Sequence, residues 1–346
     1  MQIFRDVKDF QAHPSRPLFL ALGNFDGLHL GHQKILRRVI SEARRRGGIA
    51  GVFTFRSHPE QILHPARTPK LLSSPEQKLF LLQSLGLEVC FWIEFTKKFS
   101  RFSAEAFVQK MLVRKLKVQK VFMGYNARFG HRRAGDAALM QSLGRKLGFE
   151  FEEIPPLRVA GDFISSSKIR QFVAAGRLQK AGQALGRPYS LWAKVIPGAG
   201  RGRVLGYPTA NLQVSNEALP PHGVYPVACR ILNLKAVKKR FDFSAKERGA
   251  WMRGVLNYGF RPTFKDLLGP QLEVFLLDFR GNLYGKMLEV VFYPRLRAEK
   301  TFPNADKLKA QIARDIQKAG QILRRALSPS SRSKERSLQN RQAGLY

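Results

Sequence analysis

Leu18 to Leu22 form an unbroken apolar run, and Gly23-Asn24-Phe25-Asp26-Gly27-Leu28-His29-Leu30-Gly31-His32 follows at once; Ile35, Leu36, Val39 and Ile40 then recur at helical spacing. The run reads as a buried parallel strand and the stripe as the inward face of a helix, so the glycine-bearing segment between them is a strand-loop-helix joint. A joint of this kind commits the first part of the chain to an α/β architecture. Its glycines let the backbone approach a ligand closely, and the free N–H groups and dipole at the helix start favour phosphate. His29 and His32, three residues apart, can face one site, where imidazole donors stabilise charge that develops on a phosphate during displacement.

The alternation of strand and helix continues to about residue 185. Ile49 to Phe55, Glu88 to Phe95 and Lys120 to Met123 read as strands, and Ser103 to Leu116 and Asp136 to Leu147 as helices. The first of these helices has Ser103 as its cap and Glu105 in its first turn. The pattern predicts a doubly wound parallel sheet with its ligand at the carboxyl ends of the strands.

Past Gly186-Arg187-Pro188-Tyr189 the texture changes to β-formers divided by Gly and Pro. Tyr225 to Leu232, Leu272 to Phe279 and Met287 to Tyr293 read as strands, with Arg280-Gly281-Asn282 as a hairpin-like turn between the last two. These predict a small antiparallel β-barrel. Leu308, Ile312, Ile316, Ile322 and Leu323 mark a terminal helix between about Asn304 and Leu327. The expected organisation is therefore a domain over 1–185, a second over 186–327, and a disordered basic tail over 328–346. The basic stretch Leu234 to Gly249 reads as a surface insertion.

The 346 residues carry a formal charge of +35. Basic residues are spread through both halves, as in Arg44-Arg45-Arg46, Lys238-Lys239-Arg240 and Arg324-Arg325, and no nucleic-acid-binding signature accompanies them. A solvated basic surface is expected rather than a dedicated nucleic-acid partner. The two cysteines, Cys90 and Cys229, lack metal-ligand spacing and read as buried reduced thiols. Met1 to Asp6 has no signal-peptide apolar region and no run reaches membrane-spanning length, so a cytoplasmic enzyme is expected, with no membrane partner.

The segment Gly23 to His32 resembles the HxGH signature of the nucleotidyltransferases, and with Phe25, Asp26 and Gly27 it resembles the bacterial bifunctional riboflavin kinase/FAD synthetases. Two further clusters carry the same resemblance. Gly124-Tyr-Asn-Ala-Arg-Phe-Gly130 stands after a strand, with Asn126-Ala127 where the family has Asp-Phe, and Ser165-Ser166-Ser167-Lys-Ile-Arg170 opens a helix. The resemblance implies ATP contacts at Gly23, Asn24, Phe25, Asp26, Gly27, Gly31, Ser165, Ser166, Ser167 and Arg170, flavin contacts at Asn126 and Arg128, and charge stabilisation by His29 and His32.

In the second domain Gly202-Arg203-Val-Leu-Gly206-Tyr-Pro-Thr209-Ala-Asn211 resembles the riboflavin kinase motif. There Gly202, Arg203 and Gly206 are implied to meet ATP, Thr209 and Asn211 to hold Mg²⁺, and Arg297 to contact flavin. Leu272-Glu273-Val274 resembles the strand that bears the catalytic carboxylate, with Glu273 as general base. Gly254 to Thr263 and Leu296 to Phe302 resemble flavin and nucleotide loops. The implied enzyme converts riboflavin to FMN and FMN to FAD, with ATP as co-substrate and Mg²⁺ in both steps. An adenylyltransferase for another acceptor, a nucleic-acid-binding protein, and a flavin-binding regulator with one inactive domain are the competing readings. Oligomeric state is not legible.

Overall fold

The computed structural model describes residues 1–198, 202, 205–214, 217–233, 249–260 and 270–327. Arg203, the basic stretch up to residue 248, Arg261 to Thr263 and the tail from Ser328 lie outside them. The described residues divide into two compact units, Met1–Ser166 and those from Ser167 onward, so the expected boundary near 185 falls inside the second unit.

In the first unit, β1 (Gln2–Phe4), β2 (Leu18–Leu22), β3 (Ile49–Phe55), β4 (Val89–Ile93), β5 (Val118–Gly124) and β6 (Glu150–Ile154) form a parallel sheet in the order β1-β4-β3-β2-β5-β6. From β2 the chain builds outward through β3 and β4, then returns to add β5 on the other side of β2. The carboxyl ends of β2 and β5 therefore flank a topological switch point, where open α/β sheets bind ligands. Strand alternation sends Leu18, Leu20 and Leu22 into one core layer with Phe91, Phe107 and Leu112. Phe19 and Ala21 enter the opposite layer, with Leu36, Val39 and Trp92. Both faces are covered, as the unbroken apolar run of β2 requires.

The helices of this unit are α1 (Leu30–Arg45), α2 (Glu60–Leu63), α3 (Pro75–Ser84), α4 (Ala104–Phe107) and α5 (Ala137–Leu147). Ser103 and Asp136 cap α4 and α5 as their side-chain chemistry predicts. The helix expected over Ser103 to Leu116 is α-helical only in its first turn; Val108–Lys115 is wound as a π-helix. Beyond β6, β7 (Arg158–Val159) and β8 (Asp162–Phe163) form a short antiparallel pair.

The second unit opens at Ser167, the second residue of α6 (Ser166–Ala174), and continues with α7 (Leu178–Leu185). A closed antiparallel barrel follows, with β9 (Ser190–Ile196), β10 (Ala210–Gln213), β11 (Gly223–Leu232), β12 (Met252–Gly259), β13 (Gln271–Leu276) and β14 (Met287–Phe292) in the order β10-β13-β12-β11-β14-β9. Two expectations are corrected here. β13 and β14 are not a hairpin, because β14 pairs with β11 and β9 while β13 pairs with β10 and β12; closing the barrel carries the chain past its nearest neighbour. Gly254 to Gly259, read as part of a ligand loop, belongs to strand β12. The terminal helix α8 (Ala305–Ala326), capped by Asn304, lays Ala319 and Leu323 against Ala228 and Val291 on the outside of the barrel. Cys90 and Cys229 are free thiols in β4 and β11, and burial pushes the Cys90 pKa up to about 12 and that of Cys229 upward as well.

Candidate active sites

In the first unit the loop after β2 reaches the start of α1 through an unusual backbone. Phe25 (φ 52°), Gly27 (φ 74°) and Leu28 (φ 43°) all lie in the left-handed region. Gly27 is required twice over, because a Cβ there would also come within 2.7 Å of Leu72. Phe25 itself is buried, with its ring beneath Gly23 and edge-on to His32.

His29 ends the loop as the N-cap of α1, its Nδ1 accepting the backbone N–H of His32 at 3.2 Å. A neutral ring that accepts at Nδ1 carries its proton at Nε2, so the capping bond selects the tautomer that can donate from the other nitrogen. The His29 and His32 rings stack with centroids 3.6 Å apart and planes inclined by 18°. Gly31 lies so close that a Cβ would stand 3.1 Å from the His29 ring.

Asp26 is tied into the loop by its own side chain. Its buried carboxylate accepts the N–H groups of Leu72 at 3.0 Å and Ser73 at 3.2 Å, while the Ser73 hydroxyl accepts the N–H of Gly27 at 3.2 Å. It braces the loop. The Asp26 carbonyl in turn accepts the Ser166 hydroxyl at 3.0 Å. Ser165 is half-buried, Ser167 is exposed, and Arg170 is half-buried one turn after Ser166 on α6.

Past β5, Asn126 and Arg128 are exposed, and Arg128 reaches Asp136 at 4.0 Å. Ala127 packs partly against the core, so its methyl is not one of the exposed groups of that loop. Lys78 and Thr54, which lie outside every motif of the sequence, both bond to the Asn24 carbonyl. A lysine set directly before Leu79-Phe80-Leu81-Leu82 was the available signal.

In the barrel, register does the positioning. Asn211 of β10 lies directly opposite Glu273 of β13, and Asn257 of β12 lies opposite Glu273 on the other side. Leu272, Val274 and Leu276 point inward and are buried, whereas Glu273 alternates with them and is half-exposed. The Thr209 hydroxyl reaches Glu273 Oε2 at 3.5 Å. Gly202 closes the preceding turn by accepting Tyr207 N–H at 2.7 Å, and a Cβ on it would lie 2.3 Å from the Tyr207 carbonyl oxygen. Gly206 is exposed in the same turn. Arg297 directs its guanidinium onto the buried Asp315 of α8 at 2.9 Å, and Gln311 bonds the other Asp315 oxygen at 2.8 Å.

Beside the Glu273 carboxylate, Thr209 and Asn211 offer a hydroxyl and an amide oxygen suited to a hard cation that keeps most of its own water. Among the described residues no group of three or more His, Cys, Asp or Glu is placed to hold a metal. The donor set fits Mg²⁺ shared with a nucleotide, which needs few protein ligands, and does not resemble a zinc centre.

Each unit thus gathers groups that serve phosphate chemistry, one at the switch point of a parallel sheet and the other on the face of a closed barrel, which together define a two-domain phosphotransfer enzyme. The FAD synthetase family model matches residues 11–168 and the riboflavin kinase model residues 185–323. The bifunctional riboflavin kinase/FMN adenylyltransferase of Haemophilus influenzae is 34% identical over 300 residues, spanning 87% of this chain and 92% of the relative. That of Escherichia coli is 33% identical over 315 residues, spanning 91% and 96%. The chain belongs to the bifunctional riboflavin kinase/FMN adenylyltransferase family. A solved Streptococcus pneumoniae structure described as a macrolide-efflux protein is 27% identical, with a TM-score of 0.74 over 91% of this chain and 97% of that one. No helix among the described residues is long and apolar enough to cross a membrane.

Proposed function

We propose that the barrel phosphorylates riboflavin with ATP to give FMN and ADP, and that the first unit joins FMN to the adenylyl group of a second ATP to give FAD and pyrophosphate. The observation that carries the kinase reading is the meeting of Thr209, Asn211 and Glu273 on one face of β10 and β13. Glu273 accepts the proton of the ribityl 5′-hydroxyl as that oxygen attacks the γ-phosphorus. Thr209 and Asn211 hold Mg²⁺, which screens the charge of the nucleotide phosphates. Gly202 and Gly206 belong to the turn that receives ATP, and Arg203 is a further ATP contact in this reading. Arg297, held by Asp315 and the Ala298 carbonyl, serves the flavin side.

In the first unit an oxygen of the FMN phosphate attacks the α-phosphorus of ATP and pyrophosphate leaves. The backbone N–H groups between Gly23 and Gly31 receive the nucleotide phosphates at the start of α1. His29, donating from Nε2, and His32 stabilise the charge that grows on the transferred group. Ser165 and Ser166 add hydroxyl donors. Asn126 and Arg128 serve the flavin side. Neither reaction needs a protein-bound intermediate, because an oriented acceptor oxygen attacks phosphorus directly. Riboflavin, FMN and ATP are the partners in this reading, and the cytoplasm is its place of action.

The test is incubation of the full chain with riboflavin, ATP and Mg²⁺, followed by chromatographic separation of the flavins. Sequential appearance of FMN and FAD is expected. FMN without FAD would make the first unit an inactive remnant, and no phosphorylated flavin at all would remove the reading.

A further inference from the structure

The middle of α3 buries a lysine. Lys78 is 6% exposed, and its Nζ donates to the carbonyls of Asn24 at 3.0 Å and Phe55 at 2.7 Å while lying 4.7 Å from the centre of the Trp92 ring. Burial pushes its pKa down to about 8, against the opposing field of the Asp26 carboxylate. A methionine of similar length would fill the same space without the cost of desolvating an amine.

Anchoring α3 to the sheet would account for one hydrogen bond, but the choice of acceptors says more. Phe55 ends β3, and Asn24 follows the end of β2 by two residues. Both carbonyls stand at the carboxyl edge of adjacent parallel strands, where the sheet receives its ligand. The Asn24 carbonyl also takes the hydroxyl of the fully buried Thr54 at 3.0 Å. The next residue, Phe25, has φ 52°, a conformation that a phenylalanine keeps only when its surroundings impose it. Asp26 is tied to Leu72 and Ser73 immediately afterwards. The phosphate loop is therefore clamped on both sides of its strained residue, by Lys78 and Thr54 before it and by Asp26 after it.

We infer that Lys78 is a positioning residue for adenylyl transfer: with Thr54 it fixes the Asn24 carbonyl, and through it the turn that presents the loop N–H groups and His29 to the ATP phosphates. The inference rests on the activity proposed for the first unit. It assigns Lys78 no contact with either substrate.

The test uses the full chain and Lys78→Met, which keeps the side-chain length and removes the donors. Where circular dichroism shows both proteins folded, FAD formation from supplied FMN is expected to lose about tenfold or more in kcat, the scale set by small displacements of reacting groups. The KM for FMN should stay within about twofold, and riboflavin phosphorylation by the same chain should be unchanged. Thr54→Val removes only the second donor to Asn24; it should lower the same kcat by a smaller factor, and it decides the question if Lys78→Met does not fold. An unchanged kcat in folded Lys78→Met, or a loss confined to KM, would overturn the inference. A wild-type chain that makes no FAD in this assay would instead overturn the activity proposed for the unit.

Discussion

Glu273 stands directly across the β10-β13 pair from Asn211, so the carboxylate and the amide share the outer face of the barrel while Leu272 and Val274 fill its interior. That alternation makes the carboxylate dispensable for packing. Glu273→Gln is expected to preserve the fold and to lower FMN formation by about two or more orders of magnitude, the scale for loss of a general base. FAD formation from supplied FMN should survive. Unchanged riboflavin phosphorylation in a stopped assay would take Glu273 out of the mechanism.

His29 has two jobs that one substitution can separate. Its Nδ1 caps α1, and its ring stacks on His32. Alanine would remove both, whereas asparagine is itself a strong N-cap and removes only the ring. His29→Asn should therefore leave the unfolding transition nearly in place and reduce FAD synthesis by about a hundredfold or more, in line with the loss of an oxyanion-type donor. FMN should then accumulate from riboflavin. Equal losses in both half-reactions would point to unfolding and count against the role given to the histidine.

Much of the fold was legible from residue order, and what was not legible has physical causes. The strand-loop-helix joint after Leu22 could be read because a fully buried strand and an amphipathic helix have different periods on either side of it, and the Ser103, Asp136 and Asn304 caps because a helix start has a chemistry of its own. The turn signal between β13 and β14 reports local chain reversal and not which strand lies alongside in a closed barrel. The π-helix at Val108–Lys115 keeps the apolar stripe of an α-helix and so leaves no distinct mark on the sequence. A carboxylate within a glycine-bearing loop looks the same in sequence whether or not it also braces its neighbours, so the bonds of Asp26 to Leu72 and Ser73 leave no mark on residue order. Lys78 was overlooked because lysine ordinarily belongs to the surface.

The acid limb of stability should pass through Glu42. Its carboxylate is buried on α1 beside Arg45 at 2.7 Å, Arg38 at 3.2 Å and Lys120 at 3.8 Å. The hydrogen bond from Arg45 comes first in holding its pKa below the ordinary value of 4.5, with the charges of Lys120, Arg45 and Arg38 adding to it against desolvation. A carboxylate with a depressed folded-state pKa binds fewer protons when folded than when unfolded, so its contribution is complete above 4.5 and disappears as pH falls through the folded value. Denaturant midpoints measured from pH 6 down to pH 3 should decline less steeply in Glu42→Gln than in the wild type. Parallel curves would assign the acid sensitivity elsewhere, for instance to Glu150 and Glu152, whose pKa values are also lowered.

The place where the chain can be cut gives the remaining prediction. The riboflavin kinase model begins at residue 185, but the second compact unit begins at Ser167 and includes α6 and α7. The turn between those helices packs against the barrel segment, since a Cβ on Gly176 would lie 3.3 Å from Pro221, and α7 buries Leu178, Ala181 and Leu185. A fragment over 167–327 should therefore fold alone, phosphorylate riboflavin and make no FAD, because His29, His32 and Ser166 are absent. A fragment over 185–327 keeps the barrel and α8 but exposes the surface that α6 and α7 covered. It should melt several degrees lower than the longer fragment or aggregate, as expected when buried apolar side chains lose their cover. Equal melting temperatures for the two would show that α6 and α7 contribute nothing to the stability of the barrel. A folded longer fragment without kinase activity would show that the first unit supplies part of the kinase site.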